Sequence, residues 1–292
     1  MGSLLSGTLS PAWYLRNAGF DPFEWQKPVL WPSLTPKLLL TCRQAGKSTI
    51  IAGKVETTCR HEPNADALLI CPSQDQSKEV MHKLSDFTRM HTSSMLSQDA
   101  VYEKSWINGS RVMALPGSER SVRGYSDPRF IILDEGARIL DDTYKAALPM
   151  MAGGKTELIA LSTAFGKRGW FYRAWTGKSD QVWDRIMVTV RWRLNEDETR
   201  LVEGPSESEM QELYARQGIK FFYSSRHTKE FCEFVLSEIG ALWYRQEYQC
   251  EFLDMTTGVF SDALVQSAVT DDADILDLFA GTSNIVEEAE LL

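Results

Sequence analysis

The chain predicts an α/β fold, a mainly parallel sheet flanked by helices, with a small, mostly helical subdomain. Apolar runs at 37–42, 67–71, 110–115, 129–134 and 156–161 alternate with helix-compatible stretches at 47–60, 74–92 and 139–150. Such alternation builds parallel strands with sites at their carboxyl ends. One run, Leu38-Leu39-Leu40, leads into Thr41-Cys42-Arg43-Gln44-Ala45-Gly46-Lys47-Ser48. Another, Phe130-Ile131-Ile132-Leu133, ends in Asp134-Glu135. Both chemically pointed segments fall where this fold class keeps its sites.

The remaining elements follow in order. Residues 10–31 hold two short helical patterns broken at Gly19-Phe20-Asp21-Pro22, where Asp21 can cap a helix and Pro22 can open one. Val101 to Trp106, the turn Asn108-Gly109 and Arg111 to Leu115 have the pattern of a hairpin. After residue 178 the character changes. A strand-like Val182 to Arg193 runs into the acidic stretch Asn195 to Ser206, then helical patterns at 206–217 and 237–249. The expected division is a core at 1–178, a lid or linker subdomain at 179–256 and an acidic tail at 257–292.

Composition narrows the function classes. With 292 residues, 43% hydrophobic and 24% charged, the chain is an ordinary globular one with room for a large domain. It shows no apolar run of membrane-spanning length and no signal-like amino terminus. The five cysteines, Cys42, Cys59, Cys71, Cys232 and Cys250, are scattered without a CxxC pair, which suits free thiols in a reducing cytosol. His61, His82, His91 and His227 make no metal-ligand spacing and read as surface or satisfied histidines. A net charge of −9 excludes a globally basic surface for wrapping nucleic acid. It leaves local tracks open, at Lys167-Arg168 with Arg173 or at Arg185, Arg191 and Arg193; solvated faces explain the same residues.

The turn at 41–48 carries phosphate chemistry. Backbone N–H groups of Gln44, Ala45, Gly46, Lys47, Ser48 and Thr49 at a helix start face an anion, Lys47 neutralises it, and Ser48 binds Mg²⁺. Thr41 stands where the usual pattern has its first Gly. Asp134 would complete the metal shell, and Glu135 would polarise water. This order of motifs is that of a P-loop nucleoside triphosphatase of the ASCE type. Gln26, beside Trp25, offers a donor and an acceptor that suit an adenine edge, although a packed amphipathic helix explains it equally. Ser162 and Thr163 end a buried run and could sense a γ-phosphate or simply make a turn. Arg120 and Arg123 lie in a Gly-flanked loop, as mobile arginines acting on a phosphoryl group or as surface residues.

As a set, these pieces resemble the large terminase subunit, the DNA-packaging motor of tailed bacteriophages and prophages. The matching segments are Trp25-Gln26, Arg43-Gln44-Ala45-Gly46-Lys47-Ser48, Leu115-Pro116-Gly117-Ser118 through Arg123-Gly124, and Ile132-Leu133-Asp134-Glu135-Gly136-Ala137. Ser162-Thr163-Ala164-Phe165-Gly166-Lys167-Arg168-Gly169 and Gln246-Glu247-Tyr248 to Glu251-Phe252 complete the string. The resemblance implies ATP and Mg²⁺ as ligands, with Gln26 on adenine and Arg43 as the family's loop arginine. It implies a coupling role for Ser162-Thr163-Ala164, and Arg123 acting on a neighbouring subunit's nucleotide. The implied partners are double-stranded DNA, a portal protein, a small terminase subunit and further copies in a ring, with a monomer in isolation also compatible. The implied setting is the cytoplasm of an infected bacterium, with no membrane.

The family's nuclease domain would open near Gly258-Val259-Phe260-Ser261-Asp262, about thirty residues before the chain ends. Nuclease activity is therefore not expected, and the Asp271, Asp272, Asp274 and Asp277 cluster reads as solvated tail. A helicase-like or remodelling ATPase is the alternative function, but it would need a second motor lobe, and no second motif set stands in 178–292. A nucleotide-binding module without turnover is disfavoured by the intact Lys47, Ser48, Asp134 and Glu135.

Overall fold

The computed structural model describes residues 11–91, 95–116, 125–177 and 182–254. A compact unit, Met1–Leu253, is followed by a second, Asp254–Leu292. All the elements named below belong to the first unit. Arg120, Arg123 and the acidic tail lie outside the described residues.

The elements in chain order are α1 (Pro11–Asn17), α2 (Lys27–Leu30), β1 (Lys37–Thr41), α3 (Lys47–His61), β2 (Asp66–Cys71) and α4 (Gln74–His91). Next come β3 (Leu96–Asp99), β4 (Glu103–Trp106), β5 (Arg111–Pro116), β6 (Phe130–Asp134), α5 (Asp141–Ala147), β7 (Glu157–Ser162) and α6 (Gly169–Trp175). The chain continues with β8 (Asp184–Thr189), β9 (Trp192–Leu194), β10 (Leu201–Glu203), α7 (Glu207–Ala215), β11 (Ile219–Tyr223) and α8 (Lys229–Glu247). Among the described residues no helix is long and apolar enough to cross a membrane.

Nine strands form one sheet in the order β11-β8-β1-β7-β6-β2-β5-β4-β3. The run from β11 to β5 is parallel throughout. β4 and β3 join antiparallel, β4 pairing with β5 as the expected hairpin. Every residue of β1, β6 and β7 is buried, because helices cover both faces of a parallel sheet. The order places β7 between β1 and β6, with Leu40 opposite Ser162 and Asp134 opposite Leu161. The ends of the three site-bearing strands are thus level.

The division expected at residue 178 is corrected by the sheet. β8 pairs along the whole of β1, and β11 pairs with β8, so the segment 182–223 extends the core rather than standing off it. The alternating Ile219, Phe221 and Tyr223 bury one face of an edge strand, a period-2 pattern that scattered aromatics conceal. The segment is also less helical than expected, since it carries four strands. Two of them, β9 and β10, make a small ribbon whose turn is closed by Asn195 accepting from the Thr199 N–H at 2.9 Å. α7 starts on a capping box, with Ser206 Oγ taking the Glu209 N–H and Glu209 returning to the Ser206 N–H. α8 is broken at Gly240, where φ is 75°.

The amino ends of the strands hold a buried charge cluster. Glu157, at the start of β7 and fully buried, takes Lys37 Nζ at 2.8 Å and Lys54 Nζ at 2.9 Å. Lys54 also donates to the Val29, Leu30 and Trp31 carbonyls, which ties α2 to α3. Burial pushes the Lys54 ammonium down to about 8 against the opposing pull of Glu157.

Two outcomes follow from this cluster. Glu157→Gln removes the shared counter-charge of two buried lysines and should lower stability by roughly 3–5 kcal/mol in urea denaturation. The Lys54 pKa is lowered on folding, so between about 8 and 10.5 the unfolded chain still holds a proton that the folded chain has released. This group's contribution to stability therefore rises with pH across that window. Measured as the difference in unfolding free energy between parent and Lys54→Met, the rise should be visible; a flat difference contradicts the assignment.

Candidate functional site

β1 ends at Thr41, and the chain turns through Gln44 (φ 58°) and Gly46 (φ 100°) before α3 starts at Lys47. Left-handed residues of this kind bend successive N–H groups into a concavity that accepts an anion, and the fifteen-residue α3 adds its positive end. Gly46 is required on two counts. Its φ suits glycine, and an added Cβ would meet Gln26 Nε2 at 3.0 Å.

The loop is fastened by four residues from elsewhere in the chain. The Cys42 N–H donates to the Val188 carbonyl at 2.7 Å, and the Arg43 N–H donates to the Glu247 carbonyl at 2.7 Å. His227 sits with Nε2 at 3.0 Å from the Arg43 carbonyl and Nδ1 at 2.8 Å from Ser224 Oγ. Those partners select the neutral imidazole with the proton on Nε2, and burial holds its pKa below the usual histidine value. Gln26 Nε2 donates to the Gly46 carbonyl at 3.1 Å, while Oε1 accepts the Phe23 N–H. Gln26 is thus fully buried beneath the loop with both ends of its amide engaged.

The carboxylates stand opposite. β6 ends at Asp134, and Glu135 takes the left-handed conformation at φ 53° before a tight turn at Gly136–Arg138. An unusual backbone at a strand end beside a cleft is where active sites keep such residues. Ser48 Oγ donates to Asp134 Oδ2 at 3.0 Å. Glu135 Oε1 is paired with Lys47 Nζ at 2.7 Å, and Glu135 Oε2 accepts from Arg138 Nη1 at 3.0 Å and from Ser162 Oγ at 3.4 Å. Arg138 also donates to Thr163 Oγ1 at 3.1 Å and to Glu247 Oε1 at 3.1 Å, with Phe165 under its guanidinium.

Burial and the neighbouring Glu135 charge raise the Asp134 pKa. Burial alone would raise Glu135 too, but Lys47 and then Arg138 hold it below the usual glutamate range. The same two carboxylates outweigh burial at Lys47 and keep its ammonium charged. Two adjacent acids are therefore pushed apart, the arrangement that assigns different roles to each.

These groups line a cleft of about 780 Å³. Arg43, Gln44, Gly46, Lys47, Ser48, Thr49, Asp134, Glu135 and Thr163 are on its wall, as the sequence motifs anticipate. Ala45, Ser162 and Gln26 lie behind that wall, buried. Arg138, Arg226 and Glu247 join the lining without having been singled out, as do Gln76, Glu79 and Lys83 on α4. A signal existed for Arg138, three residues after Glu135 in a turn. Glu247 enters the sequence reading only within a matching string, and Arg226 carried none.

The donor set fits a nucleotide with Mg²⁺. Asp134 and Ser48 present two hard oxygens side by side, and Mg²⁺ takes one or two protein oxygens with phosphates and waters supplying the rest. Arg43, Lys47, Lys83, Arg138 and Arg226 stand in the lining against Glu79, Asp134, Glu135 and Glu247, and each is a charge-assisted donor that a triphosphate can recruit. Gly46→Ala tests the cradle. A β-carbon at this φ costs of order 1–3 kcal/mol, so Gly46→Ala should lower the thermal unfolding midpoint by several degrees and weaken nucleotide affinity in equilibrium binding.

The chain matches the terminase large subunit, T4likevirus-type, N-terminal domain over residues 38–266. No curated protein matches it in sequence. Among solved structures, a variant of the ATPase domain of the Thermus phage P74-26 large terminase superposes with a TM-score of 0.58 at 17% identity, over 82% of this chain and 98% of that one. The large terminase of a second, thermophilic bacteriophage gives 0.55 at 10% identity, covering 83% of this chain and 57% of its own. That protein has also been solved with ADP, with a TM-score of 0.55 at 10% identity over 80% of this chain and 54% of its own. These likenesses show the P-loop nucleoside triphosphatase fold. With the family match spanning most of its length, the chain belongs to the large terminase subunit family, matching its N-terminal domain.

Proposed function

We propose that this cleft hydrolyses ATP with Mg²⁺ and that the chain uses the energy to drive double-stranded DNA into a viral procapsid. The observation that supports it most is the Glu135 carboxylate paired to Lys47, level with Asp134 and Ser48, where the ends of β1 and β6 flank the end of β7. Lys47 would engage the β- and γ-phosphates, and the N–H groups around Gly46 would cradle them. A phosphate that takes Lys47 competes directly with Glu135 for it, so nucleotide engagement frees Glu135 Oε1 to orient water. Asp134 and Ser48 would hold Mg²⁺, which supplies charge neutralisation at the phosphates when bound. Thr163, through Arg138, ties the end of β7 to the same carboxylate and is placed to register phosphate loss.

The wider assembly belongs to the same proposal. Hydrolysis is completed between neighbouring copies in a ring, with Arg123 reaching a neighbour's nucleotide, and the working partners are a portal protein and a small terminase subunit in the host cytoplasm. Of the lid or linker expected at 179–256, the parts outside the main sheet, the β9–β10 ribbon and α8, act as the lid beside the nucleotide. Gln26, expected on adenine, is fully buried with both ends of its amide engaged, so it braces the phosphate loop from behind instead of meeting a base.

Glu135→Gln should retain nucleotide binding and lose turnover, because the amide keeps the shape but cannot accept a proton. Lys47→Ala should weaken binding as well, since it removes a charge-assisted phosphate contact. Parental ATP hydrolysis by both variants would refute the ATPase assignment to this cleft. Arg123→Ala should lower kcat by up to about 10³–10⁵-fold with little effect on affinity. Mixing Arg123→Ala with Glu135→Gln subunits should recover part of the activity if the arginine acts across an interface; no recovery assigns it to its own subunit.

A further inference from the structure

Glu247 is a buried carboxylate that the hydrolytic scheme does not use, and three parts of the site meet on it. It is the last residue of α8, and its side chain is 6% exposed. Its Oε1 accepts from Arg138 Nη2 at 3.1 Å, its Oε2 lies 3.8 Å from Arg43 Nη1, and its carbonyl takes the Arg43 N–H. A carboxylate this deep is costly unless paired, so the two arginines and Glu247 hold one another in place.

Arg138 is divided between two acids. Nη1 serves Glu135 and Thr163, and Nη2 serves Glu247. A guanidinium freed on the Nη2 side can grip both oxygens of Glu135 as a bidentate fork, the strongest arrangement open to it. That grip would withhold Glu135 from water. With Glu247 on Nη2, Arg138 gives Glu135 the Nη1 contact alone, and the other carboxylate oxygen stays on Lys47, facing the phosphate loop.

The outer end of this contact is a short helical piece. Gly240 interrupts α8, and residues 241–247 form a segment of their own, bearing exposed Leu242 and Trp243. Beyond Glu247, the Tyr248 carbonyl accepts from Thr189 Oγ1 at 2.9 Å at the end of β8, so the chain is pinned just past the acid. Within this segment Glu247 is the residue that meets Arg138, while Tyr244 and Arg245 fasten it to Trp192, Glu198 and Glu251.

We propose that Glu247 is a positioning residue that holds Arg138 in its divided arrangement, linking the direction of Glu135 to the terminal segment of α8. The proposal rests on the cleft being an ATPase site. Glu247 acts through Arg138 and makes no contact with the reacting atoms.

The test is ATP hydrolysis by the full chain with Mg²⁺, comparing Glu247→Ala, Glu247→Gln, Arg138→Ala and the double alanine variant. Glu247→Ala should lower kcat by about 10–100-fold, the range for residues that orient a catalytic group. KM should stay within about threefold, a shift well under the 1.4 kcal/mol of a tenfold change. Glu247→Gln should recover most of the rate, because its amide oxygen still accepts from Arg138. The double variant should be no slower than the slower single one, as coupled residues are non-additive. Additive losses, an unchanged kcat in Glu247→Ala or a loss seen only in KM would each overturn the proposal. Hydrogen exchange provides a readout independent of turnover. ADP should change exchange across 241–250 in the parent, and Glu247→Ala should abolish that response while still binding ADP; a response retained in the variant overturns the link. Glu135→Gln separates the two readings. If it hydrolyses ATP normally, the site assignment fails; if it is inactive while Glu247→Ala is normal, only the positioning role fails.

Discussion

Glu135 keeps a negative charge in a mostly buried wall, and the site is organised around making that charge tolerable. A carboxylate withdrawn from water would take up a proton unless cations and donors surround it. Lys47 comes from the start of α3, Arg138 from the turn after β6 and Ser162 from the end of β7. Those three groups reach one carboxylate only because β7 lies between β1 and β6 with its end level with theirs. Sheet order and site electrostatics are one constraint seen at two scales. It also makes the Lys47–Glu135 pair conditional, since the lysine that neutralises Glu135 is the one a phosphate would claim.

The same strand carries a second buried acid at its other end. Glu157 opens β7 and gathers Lys37 and Lys54, while Ser162 closes β7 beside Glu135. The amino-end cluster lies at the opposite end of β7 from the cleft. It fastens α2, α3, β1 and β7 through side chains that must stay paired, because leaving any one charge unmatched in the interior costs several kcal/mol. α3 is therefore anchored at Lys54 while its first turn presents Lys47 and Ser48 to the cleft. A cradle whose backbone must meet an anion to within fractions of an ångström needs that kind of rigid support.

The phosphate loop is equally a product of distant parts. Its backbone is held by Val188 on β8, by His227 before α8 and by the Glu247 carbonyl at the end of α8. The segment after residue 190 thus touches the nucleotide loop directly, and its contribution of β8 and β11 to the main sheet explains how it gets there. β8 lies beside β1, so the chain leaving β8 emerges next to the loop leaving β1.

The sequence by itself determined the parallel α/β class, the five strands from β1 to β7 that carry apolar runs, the β4–β5 hairpin, and the cleft positions of Lys47, Ser48, Asp134 and Glu135. These features are local. A loop between a strand and a helix, or an acid after an apolar run, is written in contiguous residues, and a parallel sheet puts every strand end on one side. The tertiary structure alone decided that β8 and β11 belong to the main sheet, that Gln26 lies under the loop, and that Arg138 is shared between Glu135 and Glu247. Glu247 is 109 residues from Arg138, and neither spacing nor periodicity relates two positions that meet only after nine strands have taken their order. Strand order is set by which helices cover which face and by right-handed crossovers, and no local pattern encodes it. The site's chemistry was therefore legible in short segments, while its wiring had to wait for the fold.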